Sequence, residues 1–162
     1  MTLPSAATDA LLFELAGSRY AVPAMHVAEV VRAVQIEVLP RAPWVVSGLI
    51  NLRGEIVPVI DVRRRLGLPD KALAPEDYFV IAHCGARRVA LHVDRALELG
   101  SIKPEPMPRV GDEAPAEYVA GVVPVEGGVL MIHDLPAFLS AAEGDMLDDA
   151  LGQATELHEG AA

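Results

Sequence analysis

Short alternations of apolar and polar residues predict a chain built mainly of β-strands. In "LLFELAGSRYAV" (11–22), apolar residues recur with the period of two that places side chains on one face of a strand, and Gly17-Ser18 supplies a tight turn. The stretch "YFVIAHCGARRVALHVDRALEL" (78–99) has the same form. We therefore predict a β-hairpin in each of these two stretches.

Helical signals are few and short. In "PAMHVAEVVRAV" (23–34), valines follow a proline at helical spacing, which predicts a first short helix. Asp134 precedes "LPAFLSAAEG" and is expected to cap a closing helix over 135–143. The sequence thus predicts a mainly β protein with a few short helices.

Between these elements we expect loops, and at both ends tails. "QIEVLPRAPWVVSG" (35–48) is typical of a strand that enters an irregular loop, with Trp44 packed against the core. Residues 103–118 contain four prolines and several charges, which predicts a long surface loop. Residues 1–9 and the acidic residues 152–162 are predicted to be flexible tails.

The chain repeats itself. "SGLINLRGEIVPVIDV" (47–62) aligns without a gap on "AGVVPVEGGVLMIHDL" (120–135), 73 residues later, and "LLFELAGSR" aligns on "FVIAHCGAR" in the same order. Chance matching of aliphatic strands is the alternative, but it explains the matching glycines poorly. The paired positions are Gly48 with Gly121, Gly54 with Gly127, and Asp61 with Asp134.

Two copies of one small β unit follow from this repeat, at about 10–70 and 76–135 of a single domain that spans 10–151. A unit of about 60 residues is too small to bury much surface alone. We therefore expect the two units to share a core or a seam.

Composition excludes several classes of protein. A formal net charge of −10 argues against a nucleic-acid ligand, because phosphate contacts need clustered lysine and arginine. The one dense basic run, Arg63 to Arg65, is expected on a solvated turn, with steering of an acidic partner as the alternative. No apolar run reaches the roughly 18 to 20 residues of a membrane helix, and no secretion signal is visible, so we expect a cytoplasmic protein without direct membrane insertion.

Motifs for catalysis are absent from the sequence. It contains no G-x-S-x-G turn, no phosphate-binding G-x-x-x-x-G-K-[ST] loop and no G-x-G-x-x-G after a strand. The single cysteine, Cys84, is expected to be a small apolar side chain on a strand, and the five histidines lack metal-ligand spacing. We therefore expect no enzyme activity, no cofactor and no metal.

"GLINLRGEIVPVIDVRRRLGL" (48–68) resembles the signature of the CheW-like domain, the adaptor module of bacterial chemosensory systems. "LLFELAGSRYAVPAMHVAEVV", "RVALHVDRALEL" and "YVAGVVPVEGGVLMIHDLPAFL" are similar to its other segments, so the resemblance covers most of the chain. It implies a fold of two SH3-like β-barrels side by side. It also implies a non-catalytic signal-transduction scaffold that couples the cytoplasmic tip of a chemoreceptor to the regulatory domain of a CheA-type histidine kinase, recruited to membrane-associated receptor arrays.

The resemblance also implies sites for both partners. Arg53 is expected to face Glu29, on the first helix, near a groove between the barrels that binds the receptor through Val27, Glu29, Val30 and Arg53. The planar fork of an arginine suits bidentate contact with one carboxylate. Barrel ends are expected to contact the kinase through apolar residues, namely Ile56, Val57, Val129 and Met131.

Structural roles are expected for several small or polar residues near these sites. Gly54 would allow the sharp turn beside Arg53, and Asn51 would bond nearby backbone. The repeat gives comparable roles to Gly48, Gly121 and Gly127.

Other functions stay open at this point. A CheW-like scaffold could serve a type IV pilus or surface-sensing pathway, act as a kinase-independent interaction module, or bind a small molecule between its barrels. The proline-rich loop and the acidic tail are not parts of the motif, so the choice of partner can differ from that in chemotaxis.

Overall fold

The computed structural model describes residues 7–103, 119–125 and 128–160, with side chains up to residue 154. Nearly all of the predicted loop at 103–118, and the predicted Gly127, lie outside these residues. The strands are β1 (Thr8–Leu15), β2 (Ser18–Pro23), β3 (Val27–Arg32), β4 (Val46–Leu52), β5 (Glu55–Asp61), β6 (Tyr78–Cys84), β7 (Arg87–Val93), β8 (Arg95–Ile102), β9 (Val119–Val125) and β10 (Gly128–His133). The α-helices are α1 (Val62–Leu66) and α2 (Ala141–Gly160), and short 3-10 helices cover Ala24–His26 and Leu135–Phe138.

The strands form two five-stranded sheets within the described residues. Sheet A has the order β8-β1-β2-β10-β9, and sheet B has the order β3-β6-β7-β5-β4. Both predicted hairpins are confirmed, as β1–β2 and β6–β7. In the β1–β2 hairpin, the turn residues are Ala16 and Gly17, and both have positive φ. The turn thus lies one residue earlier than predicted.

The sheets do not follow the predicted division at 10–70 and 76–135. Strands β1 and β2 of the first repeat join β8, β9 and β10 of the second, while β6 and β7 of the second join β3, β4 and β5 of the first. The exchange arises because β10 pairs with β2, and β5 with β7, in parallel. Parallel neighbours need long crossover connections, which local periodicity does not encode.

The repeat itself is confirmed in detail. The hairpins β4–β5 and β9–β10 hold equivalent places, at one end of each sheet order. Each register shifts by one residue at the same point of the repeat, at Ser47 in β4 and at Ala120 in β9. Such a β-bulge bends a strand, so the two copies share a local deformation as well as a pattern.

The predicted helix at 23–34 is wrong. Only Ala24–His26 forms a 3-10 turn, and the valines that follow lie on strand β3 at one end of sheet B. Three valines in five positions fit both helical and strand spacing, but β-branched side chains favour the strand. Hydrogen bonding to β6 decides between the two.

Apolar residues form three clusters, two inside the sheets and one between them. Sheet B encloses a cluster that contains Ile50, Val57, Val59, Phe79, Ile81 and Ala90. Sheet A encloses a smaller cluster that contains Ala10, Ala21, Leu130 and Ile132. The largest cluster combines residues of both sheets, including Phe13, Leu15, Val22, Val80, Leu91 and Val93, which confirms the expected shared seam.

The three arginines at 63–65 do not lie on a solvated turn. They belong to α1, and each contacts a partner within the chain: Arg63 pairs with Asp94, Arg64 with Asp61, and Arg65 with Glu143. Their charges are thus used to join α1 to the surrounding elements.

The closing helix begins later and runs further than predicted. The side chain of Asp134 caps no helix; it precedes the 3-10 turn instead. Ser140 and Glu143 form a reciprocal capping box, with the Glu143 amide donating to Ser140 Oγ and the Ser140 amide to Glu143 Oε1. Helix α2 then continues to Gly160 across the predicted tail at 152–162, with Leu147 and Ala150 buried on the seam.

The prediction that Trp44 packs against the core is also wrong, because its side chain is 68% exposed. The loop before β4 is held by Leu39 and Val45, which are buried. The backbone adds a hydrogen bond from the Asp61 amide to the Val45 carbonyl.

Candidate interaction site

The turn between β4 and β5 places an arginine side chain at the end of sheet B. Arg53 and Gly54 have φ values of 51° and 90°, the left-handed pair of a two-residue hairpin turn. Asn51 Oδ1 accepts a hydrogen bond of 2.7 Å from the Gly54 amide. The expected roles of Gly54 and Asn51 are thus both present in the geometry.

The guanidinium of Arg53 contacts the carboxylate of Glu29, as expected. Glu29 lies on strand β3 and not on a helix, so the pair joins a strand to a turn. The side chain of Arg53 is 68% exposed and that of Glu29 is 31% exposed. An ion pair this open contributes at most about 1 kcal/mol to folding.

A second contact closes sheet B beside this pair. Glu37 and Leu49 exchange two backbone hydrogen bonds, of 2.8 and 2.7 Å, and so join the chain that follows β3 to strand β4. Gly48 makes this approach possible, because a Cβ at that position would lie 2.2 Å from the Glu37 carbonyl oxygen. Strands β3 and β4 hold the two ends of the sheet order, so the contact converts the sheet into a barrel.

The apolar residues expected near Glu29 differ in exposure. Val30 is 37% exposed, whereas Val27 is half-buried and packs against the seam cluster. Glu29 and Val30 are consecutive on β3, so their side chains leave opposite faces of the strand.

The residues expected to contact a kinase fall into two groups. Ile56 is 57% exposed and Val129 is 55% exposed, and the two are equivalent in the repeat. Val57 is fully buried inside sheet B, so a direct contact with a partner is excluded there. Met131 is half-buried against the seam cluster, and Gly121 is buried in β9 opposite Ile132.

A buried polar cluster was missed by sequence reasoning. Asp77 is 2% exposed and accepts hydrogen bonds from Lys71 Nζ at 2.8 Å and the Ala74 amide at 2.9 Å, with His92 Nε2 also 2.8 Å away. Burial alone would raise the pKa of Asp77, but these partners together lower it. No motif or spacing in the sequence indicates the cluster, because its members converge only after β6 and β7 have paired.

Cys84 has the environment of a structural residue. Its thiol is buried on the seam and donates to the Leu135 carbonyl oxygen at 2.8 Å. Burial raises the pKa of the Cys84 thiol, with Arg87 acting in the opposite direction. The neutral thiol is therefore the stable form, and it is a poor nucleophile.

The family model of the CheW-like domain matches residues 9–143, which is most of the chain and includes both barrels. The chain belongs to the CheW-like domain family. Its N-L-R-G turn, with Arg53 against Glu29, therefore lies within the matched region. Helix α2 extends beyond that region.

Named relatives agree with this assignment. The chain is 30% identical over 138 residues to the chemotaxis protein CheW of Treponema pallidum, covering 81% of each chain. It is 32% identical to protein FrzA of Myxococcus xanthus over 117 residues, covering 71% of this chain and 73% of that one. The crystal structure of the scaffolding protein TtCheW from Thermoanaerobacter tengcongensis superposes with a TM-score of 0.74 at 28% identity, covering 85% of this chain and 95% of that one.

This match to a CheW structure confirms the predicted fold class. Among the described residues, no helix is both long and apolar enough to cross a membrane.

Proposed function

We propose that this protein is a non-catalytic adaptor of chemotaxis signalling, which couples the cytoplasmic tip of a chemoreceptor to the regulatory domain of a CheA-type histidine kinase. The proposal rests on membership of the CheW-like domain family and on similarity to a CheW scaffolding protein. The adaptor transmits a signal by contact, so it needs surfaces for two partners and no reaction centre.

The observation that carries the proposal is the equivalence of Ile56 and Val129. Each is the second residue of the second strand of its hairpin, one in each sheet, and more than half of each residue's surface is exposed. Exposed aliphatic residues at equivalent places give the protein two apolar contacts of one kind. A regulatory domain built of similar barrels is a matching partner for such contacts.

The receptor surface in this proposal consists of Val30, Val27 and the Glu29–Arg53 pair. A receptor tip is a bundle of helical hairpins, and a helix binds a surface through apolar anchors at regular spacing. Val30 offers an apolar contact, and the exposed Arg53 guanidinium offers donors to a carboxylate or carbonyl on the helix. Because Glu29 uses part of the guanidinium, it fixes the direction in which the remaining donors point.

The test is reconstitution from purified parts. The protein is mixed with a receptor tip and full-length CheA, and kinase autophosphorylation is measured with and without it. We expect the kinase rate to change only when all three are present, and we expect both binary complexes in pull-down assays. Binding to the receptor tip without any effect on the kinase would instead favour the kinase-independent interaction module.

Intrinsic chemistry would overturn the proposal. We expect the purified protein neither to hydrolyse ATP nor to accept a phosphoryl group from radiolabelled kinase. Nucleotide turnover by the pure protein that a point substitution abolishes would show an enzyme.

A further inference from the structure

The chain passes from one sheet to the other at Asp94. Strand β7 of sheet B ends at Val93, and strand β8 of sheet A begins at Arg95. A residue between two barrels is a natural pivot, since rotation of its backbone would change their relative orientation.

At this crossing, Asp94 makes contacts to both barrels. Its Oδ2 lies 2.6 Å from Nη2 of Arg63, on α1 directly after β5 of sheet B. The same oxygen accepts a 3.0 Å hydrogen bond from the amide of Ala16, in the β1–β2 turn of sheet A. The Asp94 amide also donates to the Glu14 carbonyl of β1 at 3.0 Å.

The partners of Asp94 are themselves fixed. Arg63 is 9% exposed and donates its other terminal nitrogen to the Pro69 carbonyl oxygen at 3.0 Å. Lys71 Nζ, which lies 3.9 Å from Asp94 Oδ1, is held at 2.8 Å by the buried Asp77. Both cations are thus anchored by a partner other than Asp94.

We propose that Asp94 and Arg63 set the angle between the two barrels. We name the contacts among Asp94, Arg63 and the Ala16 amide the Asp94 bridge. The seam cluster also holds the barrels together, but apolar contact has no preferred direction and tolerates small rotations. A charge-assisted hydrogen bond with a planar guanidinium is directional, so the bridge selects one orientation from those the seam allows.

A fixed angle matters for assembly, and this consequence rests on the proposed function. Ile56 lies on sheet B and Val129 on sheet A, so the inter-barrel angle sets the angle between the two apolar contacts. In a head-to-tail assembly, this angle sets the rotation from one molecule to the next. That rotation decides whether the contacts close into a ring or continue as an open chain. The bridge would then control the geometry of an array without touching a partner.

The bridge is tested by the distance between spin labels, one on each barrel. Labels are placed at Val38→Cys, which adjoins the Glu37–Leu49 closure of sheet B, and at Leu99→Cys on β8 of sheet A; both native residues are largely exposed. Cys84→Ser removes the native thiol. Electron-electron double resonance then compares the intact bridge with Asp94→Asn and Arg63→Gln.

We expect both bridge variants to shift and broaden the distance distribution. The matched control is Arg88→Gln, which removes a 2.6 Å ion pair with Glu55 that joins two strands of sheet B only, and it should leave the distribution unchanged. Asp94→Asn keeps an oxygen that can accept from the Ala16 amide, and Arg63→Lys provides a second, milder variant if Arg63→Gln fails to fold. Folded bridge variants with the wild-type distribution would overturn the proposal.

Reconstitution separates this inference from the proposed function. For both bridge variants, affinity for each partner alone should change by no more than about twofold, as for substitutions outside a contact surface. Kinase control in the three-component mixture should fall. A wild-type protein that binds neither partner would reject the proposed function, while the spin-label distances would still decide the bridge.

Discussion

Ile56 and Val129 are 73 residues apart in the sequence, yet they hold the same position in two hairpins and are 57% and 55% exposed. Their inward neighbours, Val57 and Leu130, are equally matched and almost completely buried. The repeat thus places one apolar residue outside and one inside at each site. This arrangement separates residues that can bind a partner from residues that hold the fold.

The first prediction uses that separation. Ile56→Asp and Val129→Asp should each leave the free energy of unfolding within about 0.5 kcal/mol of wild type, because both side chains face solvent. Each should weaken binding of the kinase regulatory domain, by about tenfold or more if the residue lies at the centre of a contact. Titration calorimetry measures the affinity and urea unfolding the stability.

Leu99→Asp is the matched control for these variants, since Leu99 is 67% exposed on β8 and belongs to no proposed contact. It should bind the kinase like wild type. Wild-type affinity in both Ile56→Asp and Val129→Asp would remove these residues from the kinase site.

The second prediction concerns Gly48. Gly48→Ala should destabilise the protein by about 2 to 4 kcal/mol, because the new Cβ would overlap the Glu37 carbonyl at 2.2 Å in a backbone conformation with φ of 154°. Thermal and urea unfolding measure the effect. Gly128→Ala, at a position with open space around it, should stay within about 1 kcal/mol of wild type. Equal stability in the two variants would show that the backbone at Glu37 can move away from a Cβ at position 48 with little loss of stability.

Gly48 also shows what sequence can and cannot predict. The repeat identified this glycine through its partner, Gly121. The structure requires a glycine here because Glu37 approaches closely, and that approach depends on the path of a loop. Local period-two patterns were sufficient for the hairpins, because each hairpin is a local structure. Sheet membership was missed because the parallel pairings join segments far apart in the sequence.

The candidate interaction site was likewise predicted only in part. The contact between Arg53 and Glu29 follows from the family motif and is present, although the strand that carries Glu29 was predicted as a helix. The sequence predicted that Val57 contacts a partner, but an apolar residue in a strand is equally compatible with a contact surface and with the core. The Asp94 bridge carries no motif at all, since its members come from a turn, a helix and a crossing segment.

The third prediction concerns acid sensitivity. Asp77 has a lowered pKa, so its stabilising contribution is complete above the unfolded value of about 3.9 and is lost as pH falls below this through the folded pKa. Asp77→Asn should lower the free energy of unfolding at pH 7 by about 1 to 3 kcal/mol, since Lys71 and His92 lose a charged partner. It should also flatten the decline of stability as pH falls below about 4.

Urea unfolding across this pH range measures both effects. Asp70→Asn is the matched control, because Asp70 has a side chain that is 80% exposed and lies 3.9 Å from Arg64. The control should keep wild-type stability and the wild-type acid slope. An Asp77→Asn variant that keeps the full slope would assign acid sensitivity to other carboxylates.

The last prediction returns to Arg53 and Glu29. Because the Arg53 side chain is 68% exposed, a double-mutant cycle should give a coupling energy of at most about 1 kcal/mol, well below that of a buried pair. Arg53→Ala should nevertheless weaken receptor binding clearly, since the exposed guanidinium is a donor to the partner in our proposal. Exchanging the charges, with Glu29→Arg and Arg53→Glu, should recover stability in part but not binding, because the receptor would meet reversed charges. Arg88→Ala, which opens another surface pair on the same barrel, should leave receptor binding unchanged. If Arg53→Ala and Glu29→Ala both bind the receptor like wild type, the pair only joins β3 to its neighbouring turn, and the receptor site lies elsewhere on the protein.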